Sequence, residues 1–347
     1  MRRDSSFALK SNGECWGWGE NSAGALGDNS ISQISSPVSV VGAHLFVQVS
    51  GGEDFTLGLK SNGECWAWGL GTTGQLGDNS LTSKSSPVSV VGAHSFAEIS
   101  AGNAHGMGRK ADGTVWCWGT NNLYGQLGDN SLTSKSSPVS VVGAHSFVEI
   151  SGGFNTSHAR KADGTVWSWG RNLVGPLGDN TLTDRSSPVS VVGAHSFVEI
   201  YAAGSFTVAR KNNGEVWCWG GNPSGGLGDN TLTNKSSPVS VVGAHSFIMI
   251  APGSGAAYAL KANGECWSWG SNASGGQLGD NTETTRSSPV SVVGAHSFVA
   301  IAGGSAHCMA RKANGEVWCW GNNTFGQVGD GQQALHRSSP VAVVGTV

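Results

Sequence analysis

The sequence predicts an all-β protein: a seven-bladed β-propeller of four-stranded antiparallel blades, the first blade lacking its inner strand. Three observations carry this. All fourteen tryptophans fall in Trp-x-Trp-Gly units, from Trp16/Trp18 to Trp318/Trp320, and successive units are 50 or 51 residues apart. A fixed period of this length marks an array of one supersecondary unit. Each period holds four short runs of β-formers bounded by turn residues, and no stretch has the spacing of a helix. Seven such units without helices form a propeller.

The unit from Ser146 to His195 shows how each strand is specified. Residues 146–151 (Ser-Phe-Val-Glu-Ile-Ser) alternate and form strand A. Gly152-Gly153 begins a turn, and residues 156–161 form strand B. Asp163-Gly164 is a two-residue hairpin signal. Strand C runs over 165–170 and carries the paired tryptophans. A longer loop closes on Leu177-Gly178-Asp179-Asn180, and strand D begins at Ser187-Pro188. Proline suits that position because the missing N–H costs least at an edge or strand start. In strand C the tryptophans point to one face and small residues to the other, so neighbouring blades interdigitate large against small.

The repeats run without a linker, which predicts one domain over 1–347 with blades at 1–44, 45–94, 95–145, 146–195, 196–245, 246–296 and 297–347. Strand A occurs six times, at 45–50, 95–100, 146–151, 196–201, 246–251 and 297–302. Met1 falls just after the place of a seventh, and Gly345–Val347 stop where another would begin. The first blade therefore should hold three strands, with a trimmed chain or strand exchange with another molecule as the alternatives. Otherwise a monomer is expected.

Charged residues make up 12% of the chain and the net charge is −3. That excludes the basic stripe of a nucleic-acid binder, and no apolar run reaches membrane-spanning length. Of the seven cysteines, six exchange with Val, Gly, Ala and Ser in other repeats, as Cys15 does with Val115 and Cys117 with Ser168. They read as inert core thiols, which with the lack of a signal-peptide h-region points to a reducing, cytoplasmic setting.

The run Gly-Gly-x-x-His/Thr … Leu/Arg-Lys-x-Asp/Asn-Gly-x-Val-Trp-x-Trp-Gly-x-Asn-x-x-Gly-Gln-Leu-Gly-Asp … Pro-Val-x-Val resembles the regulator-of-chromosome-condensation repeat. It recurs seven times over nearly the whole chain. The resemblance implies a seven-bladed propeller. It also implies that one face grips a protein, as in secreted bacterial inhibitors of β-lactamases. The founding member is a guanine-nucleotide exchange factor on chromatin. Its exchange rests on an inserted wedge and its nucleosome binding on basic patches and a tail, and no counterpart of these occurs here.

The seven copies differ in two windows. One is the A–B loop with the start of strand B, including Glu53-Asp54-Phe55, Asn103-Ala104-His105, Phe154-Asn155-Thr156, Gly204-Ser205-Phe206 and Ser305-Ala306-His307. The next alternating position (Phe7, Leu57, Met107, His158, Val208, Tyr258, Met309) is expected to face outward. The other window is the C–D loop, including Tyr124, Arg171 and Phe325. In an up-and-down blade both windows lie at the same end of the strands, so the variation gathers on one face. Aromatic anchors and adaptable polar groups there predict a partner-binding surface. The candidate contacts are Glu53, Asp54, Phe55, Asn103, His105, Tyr124, Phe154, Asn155, Arg171, Phe206, His307 and Phe325. Such a surface makes a non-enzymatic scaffold for a protein partner. The alternatives are a lectin-like propeller that binds glycans at equivalent pockets, or a structural or engineered repeat scaffold with no partner. The near-identical copies suggest internal amplification in a bacterial or environmental gene.

Other motifs read as structure. His44, His94, His145, His195, His245 and His296 recur at one turn and suggest a structural hydrogen bond. Gly-Asp pairs such as Gly178-Asp179 suggest Asx turns, and one carboxylate per loop argues against calcium. Asn21, Asn121, Asn172, Asn222, Asn272 and Asn323, with Gly71 in the remaining copy, suggest a left-handed backbone position. Glu98, Glu149 and Glu199 could ring an axial channel, although Gln48, Met249 and Ala300 replace them elsewhere. No nucleophile–base pair, metal-ligand set or phosphate cradle stands out, so neither catalysis nor a cofactor is expected.

Overall fold

A computed structural model describes residues 4–344. Its strands form seven antiparallel sheets and no helix among the described residues. Six sheets have four strands in sequential order. The first has three, Ser5–Leu9, Cys15–Gly19 and Ile34–Ser39. The inner strands run Gln48–Gly51, Glu98–Ala101, Glu149–Gly152, Glu199–Ala202, Met249–Pro252 and Phe298–Gly303. Met1 and Gly345–Val347, invoked above for ring closure, lie outside the described residues.

Most inner strands start about three residues later than their alternation suggests. The reason is the Ser-Phe pair that precedes them. Its main chain binds the preceding blade instead of its own ladder: Phe147 N–H donates to Gly113 O (2.9 Å) and Phe197 N–H to Gly164 O (2.9 Å). The phenyl ring then lies by the second tryptophan of its own blade, as Phe96 does on Trp118 at 5.9 Å between ring centroids.

The interdigitation of large against small is visible at each junction. Met107, Val115, Cys117 and Leu127 of one blade pack with Phe147, Ile150 and Trp169 of the next. The second indole of every pair is fully buried. In six blades its Nε1–H donates to a main-chain carbonyl of the preceding C–D loop: Trp68 to Ala25 (2.7 Å), Trp118 to Gln75 (3.0 Å), Trp169 to Gln126 (2.9 Å), Trp219 to Pro176 (2.9 Å), Trp269 to Gly226 (3.0 Å) and Trp18 to Gln327 (3.0 Å). The last of these joins the first blade to the seventh. A hydroxyl often shares the acceptor, as Ser157 Oγ does at Gln126 O (2.7 Å) and Ser6 Oγ at Gln327 O (2.8 Å). Trp320 is the exception: its buried Nε1 has no hydrogen-bond partner. Tyr258 Oη donates to Gln277 O (3.0 Å), the carbonyl that matches the acceptors of the other six.

The first indole of each pair sits at the opposite edge of the blade. In the second to seventh blades it is covered by a histidine at 4.2–4.4 Å between centroids and by a lysine Nζ at 4.2–4.7 Å. The recurring histidines thus act by tilted ring contact, with 42–44° between the ring planes, where the sequence suggests a structural hydrogen bond. Their proximity to lysine and their partial burial hold the imidazoles below their ordinary pKa, with burial the larger cause.

Around the axis, side chains of one inner strand bind the main chain of the next. Gln48 brackets Ile99, accepting from its N–H (3.0 Å) and donating to its carbonyl (2.9 Å). Ser50, Ser100 and Ser151 accept from Ala101, Gly152 and Ala202 N–H at 2.8–2.9 Å. Of the three glutamates expected to ring the channel, Glu98 and Glu149 line its wall and Glu199 does not, its blade contributing Ile200, Tyr201 and Ala202. Each is paired with an arginine of its own blade: Arg109 (2.8 Å), Arg160 (2.6 Å) and Arg210 (2.7 Å). All seven cysteines are buried free thiols, and burial pushes Cys15 and Cys266 up to about 12.

Replacing Trp169 by Ala should cost about 3–5 kcal/mol through the cavity it leaves. Replacing Trp169 by Phe should cost roughly 1 kcal/mol more than the same change at Trp320, where no indole hydrogen bond is lost. Guanidinium denaturation midpoints of the variants measure both; equal losses for the two Phe variants would refute the interlocking role of the indole N–H.

Candidate binding face

The two variable windows lie on one rim, and hydrogen bonds weld them together. Within each blade the first residue of the C–D loop donates to the A–B loop: Leu70 to Asp54 O (2.7 Å), Thr120 to Ala104 O (2.8 Å), Arg171 to Asn155 O (2.9 Å) and Asn322 to Ala306 O (2.8 Å) are examples. Between blades, A–B loops join one another through Glu53 N–H to Asn103 O (3.0 Å), Asn103 N–H to Gly153 O (2.9 Å) and Ser254 N–H to Ser305 O (3.2 Å). In the first six blades the C–D loop also reaches the next strand D, as Asn130 N–H does to Ser186 O (2.9 Å).

The C–D loop is organised by the asparagine two residues after Trp-x-Trp-Gly. Asn172 is buried, its Nδ2 donates to Asp179 Oδ1 (3.0 Å) and Thr181 O (3.1 Å), and its Oδ1 accepts from Leu177 N–H (3.1 Å). The expected left-handed backbone belongs instead to the asparagine of Gly-Asp-Asn, such as Asn180 with φ 60°. The Asx turns are present: Asp179 Oδ1 accepts from Thr181 N–H (3.0 Å). Gly71 stands where the hub asparagine would be, and there Thr82 O comes within 2.3 Å of the place a Cβ would take.

The twelve predicted contact residues divide in two. Glu53, Asp54, Asn103, Tyr124, Phe154, Asn155, Arg171 and Phe325 are half-buried on the rim. Phe55, His105, Phe206 and His307 are buried. These four open strand B and already lie in the ladder, opposite the glycine that ends strand C (Phe55 faces Gly69, His105 faces Gly119). Phe55, His105 and His307 fold beneath their own A–B loops, where Gly52, Gly102 and Gly304 leave room for the ring, whereas Phe206 has Ala203 at that position and its ring lies by Gly226. They are plugs without exposed surface to offer a partner. His105 Nε2 meets Ser157 Oγ (2.9 Å) and His307 Nε2 meets Ser6 Oγ (3.0 Å), so the two imidazoles bridge to the next blade.

The following position does not face outward as expected. Leu57, Met107, His158, Val208 and Tyr258 are all buried. Strand B has a neighbouring blade on each face, so alternation there selects between two interiors. His158 Nδ1 meets Ser168 Oγ (2.9 Å) and Nε2 meets Thr207 Oγ1 (3.4 Å). Burial, then the nearby His105, lowers its pKa to about 3, and burial lowers His307 to about 4.

Exposed leucines were not among the predicted contacts. Leu123 and Leu173, at C–D loop tips, are 70% and 62% exposed. A second set, Ile31, Leu81, Leu132, Leu182, Leu232 and Leu335, sits exposed just after the Gly-Asp turn region in six blades. The available signal was an apolar residue held in a tight polar turn, where no core can receive it.

On this rim a cavity of about 370 Å³ opens between the fourth, fifth and sixth blades. Phe154, Asn155, Arg171, Leu173, Pro176 and Ser205 contribute to its walls. The Arg171 guanidinium lies 5.1 Å from the Tyr124 ring centroid, which holds it over the third blade's loop.

The architecture and this rim define a propeller whose constant frame carries diversified loops on one end. The chain belongs to the regulator of chromosome condensation (RCC1) repeat family, whose model matches residues 12–59, 62–108, 112–159, 163–210, 263–311 and 314–347. A second model of the same repeat matches 46–75, 96–126, 197–225 and 298–327. The human (Homo sapiens) E3 ubiquitin-protein ligase HERC2 is 37% identical over 67 residues, 19% of this chain and only 1% of that protein's length. Its Mus musculus counterpart matches to the same extent. Among solved structures, human WBSCR16 superposes with TM-score 0.86 at 21% identity, over 96% of this chain and 94% of that one. Prp20p from Saccharomyces cerevisiae, studied with its binding to Gsp1p and histones, gives 0.87 at 20% identity, over 98% and 88%. The same yeast protein, RCC1 (Prp20), bound to Kap60, gives 0.84 at 20% identity, over 95% and 83%. At these identities the likeness establishes the fold alone.

The buried imidazoles make stability depend on pH. Between the ordinary value of 6.5 and about 3 for His158, or about 4 for His307, the native state binds fewer protons than the unfolded chain. Stability therefore falls as pH is lowered through that window. Tryptophan fluorescence should report acid unfolding, and the His158→Gln variant should show a shallower loss of stability from pH 6.5 towards pH 4. An unchanged slope would mean that His158 does not titrate on unfolding.

Proposed function

We propose that this protein is a non-enzymatic scaffold that recognises a protein partner through its A–B and C–D loop rim. The observation that carries the reading is the welding of the sequence-divergent loops into one preformed surface. Their main-chain groups are satisfied within the frame, so their side chains can vary without disturbing it. Half-buried Tyr124, Phe154 and Phe325 offer ring surface at low entropic cost, and Asn103, Asn155, Glu53 and Asp54 offer hydrogen bonds. Exposed Leu123 and Leu173 add apolar contact. Relatives in the family with protein partners, such as the yeast protein solved with Kap60, support the same use of the fold. A glycan-binding propeller would place the same residues in every blade, whereas these differ.

The test compares affinity capture by three proteins: the native chain, a rim variant with Glu53, Asn103, Tyr124 and Phe325 changed to Ala, and an opposite-face variant with Lys110 and Lys161 changed to Ala. A partner held by the native and opposite-face proteins but lost by the rim variant is the expected result. Equal recovery by all three would remove the rim from the reading, and strong hits for the native protein on a glycan array would replace it with the lectin.

A second reading concerns the first blade, for which a monomer with an acceptor edge is proposed. The B–C turn glycine of the first blade crowds against Leu45-Phe46 and those of the next five against the following Ser-Phe pair, whereas among the described residues nothing lies within 4 Å of a Cβ built at Gly315. Leu9 is 36% exposed where its counterpart Leu59 is 3%. A peptide of sequence Ser-Phe-Val-Glu-Ile-Ser, at saturating concentration, should raise the melting temperature by mass action. A scrambled peptide should not, and no shift with either would remove strand exchange from consideration.

A further inference from the structure

The cavity between the fourth, fifth and sixth blades differs from the rest of the rim in how it is made. In four blades the residue before Leu/Val-Gly-Asp is a glutamine: Gln75, Gln126, Gln277 and Gln327. Three of these turn their amide back onto their own loop. Gln75 Oε1 accepts from Thr73 N–H (2.9 Å), Gln277 Oε1 from Ser274 N–H (3.2 Å) and Gln327 Oε1 from Phe325 N–H (2.8 Å). The fourth blade has Pro176 there, which has no amide to return. The neighbouring A–B loop is Gly204-Ser205, small where Phe154-Asn155 stand one blade earlier. Pro176 and Gly204-Ser205 both border the space of about 370 Å³.

The walls are of two kinds. Phe154, Leu173, Val174 and Pro176 give an apolar side, and Leu173 is exposed by 62% although it borders the cavity. Arg171 gives a positive charge at the same opening. Among the described residues no carboxylate lies within ion-pair distance of Arg171, although the other arginines of the fourth and fifth blades are paired: Arg160 with Glu149, Arg185 with Asp179 and Arg210 with Glu199. Asp184, in the same loop, already accepts from Asn172 N–H (2.6 Å). Stacking on Tyr124 fixes the guanidinium without neutralising it. A cation held in place by a ring, beside apolar walls and without a counter-charge, is complementary to a carboxylate on an apolar stem.

We propose that this pocket takes an acidic side chain and an adjoining apolar side chain from an extended segment of the protein partner. The carboxylate meets Arg171, and the apolar group packs against Leu173, Val174 and Pro176. Asn155 and Ser205 stand at the mouth to bind the segment's main chain. This rests on the rim reading and specifies one anchor within it.

The probe is 3-phenylpropionate, which joins a carboxylate to an apolar ring, with 3-phenylpropanamide as its neutral counterpart and inorganic phosphate as an anion without a stem. Binding is followed by chemical-shift changes of the native protein, of Arg171→Met and of Leu173→Ser. The acid should bind about tenfold or more tighter than the amide, and Arg171→Met should remove that difference, as expected for loss of a charge-assisted hydrogen bond. Leu173→Ser should weaken acid and amide alike. Equal binding of acid and amide to the native protein, or undiminished preference in Arg171→Met, would overturn the proposal. Phosphate competing as well as the acid would also overturn it, by showing a simple anion site. If the probe fails while the rim variant still loses a captured partner, the pocket is wrong and the rim stands. If the probe binds as expected while capture is unaffected by the rim variant, the pocket is real but the rim is not the partner face.

Discussion

The bond from a buried indole to a main-chain carbonyl of the preceding blade is the contact on which the disc depends. It fixes the distance and angle between blades, and the large rings fill the space that the small residues of the facing strand leave. Because the donor belongs to strand C and the acceptor to a C–D loop, it also locks the loop rim to the core. The first indole, sandwiched between histidine and lysine, secures the other edge. Side chains of the inner strands secure the axis. Blades are thus joined at three radii, with a different chemistry at each.

Much of this was legible in the sequence. The Trp-x-Trp-Gly period gave the number of blades, and period-2 alternation with Asp-Gly, Asn-Gly and Pro signals gave the strands to within a few residues. The three-stranded first sheet followed from counting inner strands. What escaped was depth. Alternation cannot distinguish an exposed face from the face of a neighbouring blade, so Met107 and Tyr258 read as outward although both are buried. Phe55 and His105 read as partner contacts because, at the start of strand B, they border variable turns. Whether a ring points out or folds under its own loop depends on the glycines three residues earlier and on the next blade, and neither acts through local pattern. The hub role of Asn172 was hidden for a similar reason: its side-chain partners lie five to nine residues away and meet it only when the loop closes.

The face prediction rested on topology rather than on individual residues, and the hydrogen bonds between A–B and C–D loops place the two windows together. The binding role assigned to that face remains the proposal made above. The leucines exposed after the Gly-Asp turns went unread because they recur from blade to blade, whereas candidate contacts were marked by differences between the copies.

The acceptor in the interlock is a peptide oxygen, so the identity of the residue that carries it is free. Ala25, Gln75, Gln126, Pro176 and Gly226 serve equally, and Pro176 leaves a hollow in the surface while its carbonyl still binds Trp219. Structural duty and surface chemistry are thereby assigned to different atoms of one amino acid. A lineage built on such a frame can recast its outer contour sector by sector, by drift or by deliberate grafting, without renegotiating the joints beneath.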